Sequence, residues 1–213
     1  CGDMPGTDGS DHSGMLPDLY EVYAGILSGA GTVDALLERA GREMSAMLEL
    51  KQVIKQYGSK TALDGVDLKI PQGEIVGLFG ENGAGKTTLV KLLKGLLKPV
   101  GGSIYYGGSD MAEKTVAMLA GEIGYVFQNP DDQIFKYHVI DEVMFGPQNI
   151  GMTKEQAKEK AVAALKLVGL EQLADENPYD LELSERKLVA IASVLAMDTK
   201  VLILDEPTIA QDW

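Results

Sequence analysis

Apolar positions along this chain switch between two periods. LELKQVIKQY (48–57) and ALDGVDLKI (62–70) read as short, half-buried strands of alternating character. GEIVGLFG (73–80) is an apolar run ending on glycine and predicts a buried strand. KTTLVKLLKGLL (86–97) then takes helical spacing, with Pro99 closing it. GSIYYGG (102–108) is a short strand between glycines, and GEIGYVFQ (121–128) a further buried one. Thr153 and Gln156 form a capping box, predicting a helix to about Val168 with Gly169 at its end. VLIL (201–204) is wholly apolar. Apolar strands alternating with helices predict an α/β fold whose mainly parallel sheet is buried on both faces.

The first 47 residues have another texture. Residues 1–14 are rich in Gly, Asp and Ser, which predicts disorder. Residues 16–49 show helical spacing at Leu36, Leu37, Ala40, Met44, Met47 and Leu48, with Thr32 a candidate cap and Gly41 an interruption. They carry no recognisable chemistry and read as a packing element or the tail of an upstream domain.

Composition narrows the function classes. At 213 residues and 45% hydrophobic, the chain has material for about one domain. No apolar run approaches the roughly 20 residues needed to cross a bilayer, so a membrane role requires a partner. The net charge of −13, from 32 acidic and 19 basic residues, argues against a broad nucleic-acid-binding face. The one cysteine, Cys1, forms no internal disulfide, which fits a reducing compartment. A leading Cys fits either a processed lipoprotein or a fragment, and the absence of other export signals favours the fragment.

Two motifs carry chemistry. Gly80, Glu81, Asn82, Gly83, Ala84, Gly85, Lys86 and Thr87 match G-x-x-x-x-G-K-[ST] in full, between a predicted strand and a predicted helix. Thr88 extends the loop. The glycines let backbone approach phosphates, and N–H groups at the helix start point at the anion. The pattern assigns Lys86 to the β- and γ-phosphates of a nucleotide and Thr87 to Mg²⁺. VLIL then delivers Asp205 and Glu206 at a strand's carboxyl end, where open α/β sheets bind ligands. Asp205 is a candidate Mg²⁺ ligand through water, and Glu206 a candidate base for an attacking water. The bland reading is that both acids only mark the strand's exit into solvent.

In order, Tyr57, GENGAGKTT, Gln128 in GYVFQNP, LSER and VLILDEPT resemble the ATP-binding subunit of ABC transporters, over about residues 48–212. GYVFQNPDDQIF and DEVMFGPQNIGM are most like the energy-coupling factor branch, which drives uptake of vitamins or metal ions. The resemblance implies a P-loop NTPase with a small antiparallel β subdomain and a helical subdomain near 130–190. It implies ATP and Mg²⁺ as cofactors. Tyr57 would stack on adenine, although an ordinary strand tyrosine is the plain alternative. Gln128 would touch Mg²⁺ and the attacking water, and the surface near Asp131, Asp132 and Gln133 would meet the membrane partner. His138 has no second His or Cys nearby and reads as a surface or packing residue. The implied location is the cytoplasmic face of the membrane.

Two departures from the family follow. Its LSGGQ element starts a helix that reaches the γ-phosphate held by a second subunit. Here Leu183 and Ser184 are followed directly by Glu185 and Arg186, two residues short, before VAIA. A carboxylate near that phosphate repels it. Ser184 therefore belongs either to a competent shared site or to the degenerate half of a heterodimer. Asp212 matches the family's interface aspartate, while the histidine that follows beyond the next strand is absent, so the resemblance implies a C-terminally truncated cassette. The function it implies is ATP hydrolysis powering solute uptake. Alternatives are a nucleotide-binding partner with little turnover and a soluble ATPase of the same architecture. The DEPT word, Gln128 and the lack of N-K-x-D argue against a P-loop kinase or GTPase.

Overall fold

The computed structural model describes residues 46–206. The expectations for 1–14, for the helix up to residue 45 and for Asp212 lie outside the described residues. Met47 and Leu48, expected in that helix, instead belong to a strand, β1 (Ala46–Tyr57). It pairs antiparallel with β2 (Lys60–Pro71) and, on its other edge, with β3 (Gly101–Tyr106), which pairs with the short β4 (Ser109–Asp110). A strict two-residue period would point Leu48 and Leu50 to one face and Val53 to the other. Gln52, at φ 49°, sits in an irregularity between Leu50 and Val53 that restores Val53 to the core face. All three side chains are buried.

Helix α1 (Lys86–Leu93) follows the glycine-rich loop. It stops short of the predicted Leu97 because Gly95 turns left-handed at φ 79°. Leu96 N–H then donates to Lys91 O and Gly95 N–H to Leu92 O, closing the end before Pro99 is reached. Short α2 (Val116–Ala120) leads into β5 (Ile123–Val126), which pairs in parallel with β6 (Val201–Leu204). Between those two strands lie α3 (Val139–Asn149), α4 (Lys154–Leu167) and α5 (Leu183–Leu195). The Thr153–Gln156 capping box on α4 is present in both directions.

Two apolar cores meet at the β5–β6 pair. Ile123, Tyr125 and Ile203 face the core shared with β1, β3, α1 and α2. Val126, with Leu202 and Leu204 packed around it, faces the core of α3, α4 and α5. The pair is covered on both faces, as a parallel pair with apolar sequence requires. Gly124 makes the helix side fit: a Cβ there would lie 2.4 Å from Val194 Cγ1 on α5.

The molecule is mixed α/β, but its described parallel sheet is smaller than predicted. The strand expected over 73–80 does not form, since residues 74–80 carry no ladder pairing. Ile75, Val76 and Leu78 are exposed, and Phe79 is 95% exposed. An apolar run states only what it can bury, and a strand exists only where a neighbour takes its N–H and C=O groups. Among the described residues β5 and β6 pair with each other and not with this segment.

Candidate functional site

The glycine-rich loop is built for an anion at the start of α1. Gly85 stands at φ 91°, and a Cβ there would lie 2.7 Å from Ala62 O and 2.9 Å from Leu63 Cδ2 of β2. Only glycine meets both demands at once. No side chain caps α1, and no acidic residue lies in its first turn. Its first N–H groups are therefore open to a ligand, with the positive end of the helix dipole behind them. Lys86 Nζ donates to Gly80 O (2.7 Å) and Glu81 O (3.0 Å), arching over its own loop. These features fit a polyphosphate. Tyr57 ends β1 at the tip of the hairpin whose β2 strand supports Gly85. Its ring is half exposed, with Lys55 Nζ 5.5 Å from the centroid.

A second set gathers at the carboxyl ends of β5 and β6. Gln128 Nε2 donates to Glu206 Oε2 at 2.6 Å. Asp205 is buried, and its Oδ2 accepts a hydrogen bond from Tyr125 OH at 2.9 Å. Burial first, and that carboxylate second, push the Tyr125 hydroxyl pKa up, so the phenol stays a donor. Glu206 sits at φ 49°, a left-handed backbone that a residue with a Cβ holds only when its surroundings impose it. Lys187, almost wholly buried on α5, donates to Phe127 O (2.6 Å) and Gln128 O (2.8 Å), with Asp205 O at 3.5 Å. Burial pulls its pKa down, against the opposing pull of Asp205 and Glu206.

The predicted residues thus fall into two groups. Gly80 to Thr88 form the loop and helix start. Gln128, Asp205 and Glu206 converge across the sheet end. Among the described residues no hydrogen bond or ion pair joins the two groups. No cluster of three or more His, Cys, Asp or Glu able to hold a metal by itself occurs among them. The residues whose oxygens could hold a Mg²⁺ ion are Thr87, Asp205 and Gln128.

The LSER stretch forms the first turn of α5, with Ser184 at its second position. Glu185 Oε2 accepts the Glu182 N–H at 3.0 Å, so this helix start carries its own carboxylate. Arg186 turns away, with Nε 3.2 Å from Asp131 Oδ1 and a nitrogen donating to Leu181 O at 3.2 Å. The two helix starts differ: that of α1 is open to an anion, and that of α5 is occupied by an acid.

Around Gln128, Asp131 takes part in that ion pair. Gln133 points inward, accepting the Phe127 N–H (3.2 Å) and donating to Ala190 O (2.8 Å) and Ser193 Oγ (2.9 Å). His138 stands before α3, exposed, with Nδ1 2.8 Å from Asp175 O. Sequence reasoning missed Tyr125, Lys187 and the inward turn of Gln133. For Lys187 a signal existed. It occupies a helical position whose i+3 and i+4 neighbours, Ala190 and Ile191, are buried, and a lysine there demands a partner.

Comparisons with known proteins point to one family. The profile of the ABC transporter family matches residues 63–209. The energy-coupling factor transporter ATP-binding protein EcfA of Methanosphaera stadtmanae is 41% identical over 172 residues, covering 79% of this chain and 62% of that protein. EcfA2 of Caldanaerobacter subterraneus subsp. tengcongensis is 42% identical over 154 residues, 71% and 54% of the two lengths. The chain thus spans less than two thirds of either relative. The structure of cbiO1 of Clostridium perfringens, a part of the ABC transporter complex cbiONQ, superposes with a TM-score of 0.71 at 37% identity, over 79% of this chain and 68% of that one. The ATP-binding cassette MJ0796, solved as a dimer with ADP and Pi, superposes with a TM-score of 0.71 at 29% identity, over 78% and 76%. Among the described residues no helix is long and apolar enough to cross a membrane.

Proposed function

Because this chain belongs to the ABC transporter family of ATP-binding domains, we propose that it binds and hydrolyses ATP to power uptake of a small solute, a metal ion or a vitamin, through a membrane transporter. The observation that carries this reading is the 2.6 Å contact between Gln128 Nε2 and Glu206 Oε2 beside buried Asp205; the uncapped start of α1 behind the glycine-rich loop supports it. The loop from Gly80 through Glu81, Asn82, Gly83, Ala84 and Gly85 wraps the phosphates. Lys86 exchanges its carbonyl partners for phosphate oxygens. Thr87 and Thr88 face them from the first turn of α1. Thr87, Asp205 and Gln128 would hold Mg²⁺, which when bound neutralises charge between the β- and γ-phosphates. Glu206 takes the proton of a water aimed at the γ-phosphate. The Gln128 amide fixes the orientation of that carboxylate, so only its free oxygen faces the water. Tyr57 stacks on the adenine ring.

The partners in this reading are a second ATP-binding subunit and integral membrane subunits, with the chain at the cytoplasmic face and no role for nucleic acid. The names of the energy-coupling factor relatives and the cbiONQ complex support it. One observation favours a second reading. The carboxylate of Glu185 occupies the start of α5, so Ser184 is a poor reader of a partner's phosphate, and a heterodimer with one degenerate site follows.

The test is Mg²⁺-dependent ATP turnover across protein concentration, for the parent and Glu206→Gln. Turnover per molecule that rises with concentration supports a shared-site dimer. Glu206→Gln is expected to keep ATP affinity and lower turnover by about 10²- to 10⁴-fold. Turnover at the parent rate in that variant would falsify the assignment of the base. ATP binding without hydrolysis at any concentration supports the degenerate partner.

A further inference from the structure

We propose that Lys187 is a positioning residue for the Gln128–Glu206 pair, fixing from helix α5 the three backbone carbonyls that set both side chains in place. The proposal rests on the hydrolytic reading above. The carbonyls concerned are those of Phe127 (2.6 Å), Gln128 (2.8 Å) and Asp205 (3.5 Å). They belong to the peptide units on either side of Gln128 and to the unit that enters Glu206. An ammonium carries three N–H donors that diverge from one nitrogen, and here it meets three oxygens.

A lysine is an expensive choice for a core position. Lys187 is 1% exposed and lies in a helix whose residues from Val189 to Val194 are buried. Desolvating an ammonium costs several kcal/mol, and a hydrocarbon of similar volume often packs there without loss. Among the described residues no carboxylate stands within ion-pair distance of Nζ, and the attraction of Asp205 and Glu206 offsets only part of that cost. The geometry therefore points to a task other than packing.

A second contact set gives the arrangement its direction. Gln133 Oε1 accepts the Phe127 N–H, while its amide donates to Ala190 O and Ser193 Oγ on the same helix. Ala190 lies three residues beyond Lys187, on the same face of α5. The Phe127–Gln128 segment is thus held by its N–H through Gln133 and by its carbonyls through Lys187, both referred to one rigid helix. Glu206 is held by Gln128 at its carboxylate and by Lys187 at the preceding carbonyl, which sustains its left-handed φ of 49°. Without Lys187 the backbone at both residues is free to relax, and a shift of about 1 Å at a reacting group lowers turnover about 10²-fold.

The test compares Lys187→Met, which keeps the volume and removes the donors, with Lys187→Arg, which restores donors in a planar fork. Three quantities are read on the whole chain: kcat and KM for ATP with Mg²⁺, the thermal midpoint, and amide exchange resolved along the sequence. For Lys187→Met we expect kcat to fall about 10²-fold with KM within about twofold. Exchange is expected to rise across 126–129 and 204–206 while α1 and α4 keep the parent protection. Lys187→Arg should recover part of both losses. A kcat within twofold of the parent in Lys187→Met overturns the proposal. So does exchange that rises uniformly with a lowered thermal midpoint in both variants, which is the mark of a packing role. If the parent itself hydrolyses no ATP, the hydrolytic reading fails, and unchanged exchange at 126–129 in Lys187→Met then separately rejects the hold of Lys187 on this segment.

Discussion

Glu142 is 3% exposed in the first turn of α3, and its Oε2 accepts the N–H groups of Phe135 (2.9 Å) and Lys136 (2.8 Å). It pins the α3 end of the segment that links the Gln128 region to α3. In Glu142→Ala both N–H groups lose a charged acceptor. Each such bond contributes about 1.5–3 kcal/mol net. Phe135 is half exposed, so water recovers part of that loss on the segment's outer side. The carboxylate also gains about 0.5 kcal/mol from the helix dipole. Together these give an expected loss of about 3 kcal/mol for Glu142→Ala. Glu142→Gln keeps one carbonyl oxygen to accept both donors and should lose about 1 kcal/mol. Urea unfolding followed by circular dichroism measures both, with a common slope for the three proteins. ATP affinity should stay unchanged, because neither the loop nor α1 contacts Glu142. If Glu142→Ala lies within about 0.5 kcal/mol of the parent, the carboxylate is dispensable. If Gln is as costly as Ala, charge rather than hydrogen bonding holds the segment.

Two further outcomes test other parts of the molecule. Gly85→Ala places a Cβ 2.7 Å from Ala62 O at a φ of 91°, and is expected to weaken ATP binding at least about tenfold by displacing the loop; titration calorimetry checks this, and parent affinity would refute the tight seat of Gly85. Glu122 accepts a hydrogen bond from Tyr106 OH (2.6 Å) and pairs with Lys200 (2.9 Å). The tyrosine hydrogen bond first, and Lys200 next, hold its carboxyl below the usual range. A folded pKa below the unfolded one stabilises the fold above the unfolded value, and that stability is lost as pH falls through the folded one. The parent should therefore exceed Glu122→Gln in urea midpoint near neutral pH, with the gap closing as pH falls below the usual carboxylate range. A gap that is constant with pH would exclude the ionised carboxylate as its source.

What sequence alone determined about this protein is what short-range chemistry encodes. The phosphate loop is legible because glycine spacing and Lys86 lie within residues 80–88 and the helical period follows directly. The Thr153–Gln156 box is legible because both partners sit three residues apart. The apolar strands β5 and β6 were readable because burial on both faces leaves no polar alternation. The helix start at Leu183 and the awkward place of Glu185 were legible only through the resemblance of LSER to LSGGQ. Tertiary structure decided the rest. Residues 74–80 have the composition of a strand, yet pairing depends on a neighbour that no local window contains. The 2.6 Å contact of Gln128 with Glu206 spans 78 residues, and that of Tyr125 with Asp205 spans 80. Such contacts depend on the parallel register of β5 and β6, in which Val126 faces Leu204. That register, and the choice of Lys187 to hold both strand ends, arise only when two cores close on a shared pair of strands, because packing rather than propensity sets which distant groups meet.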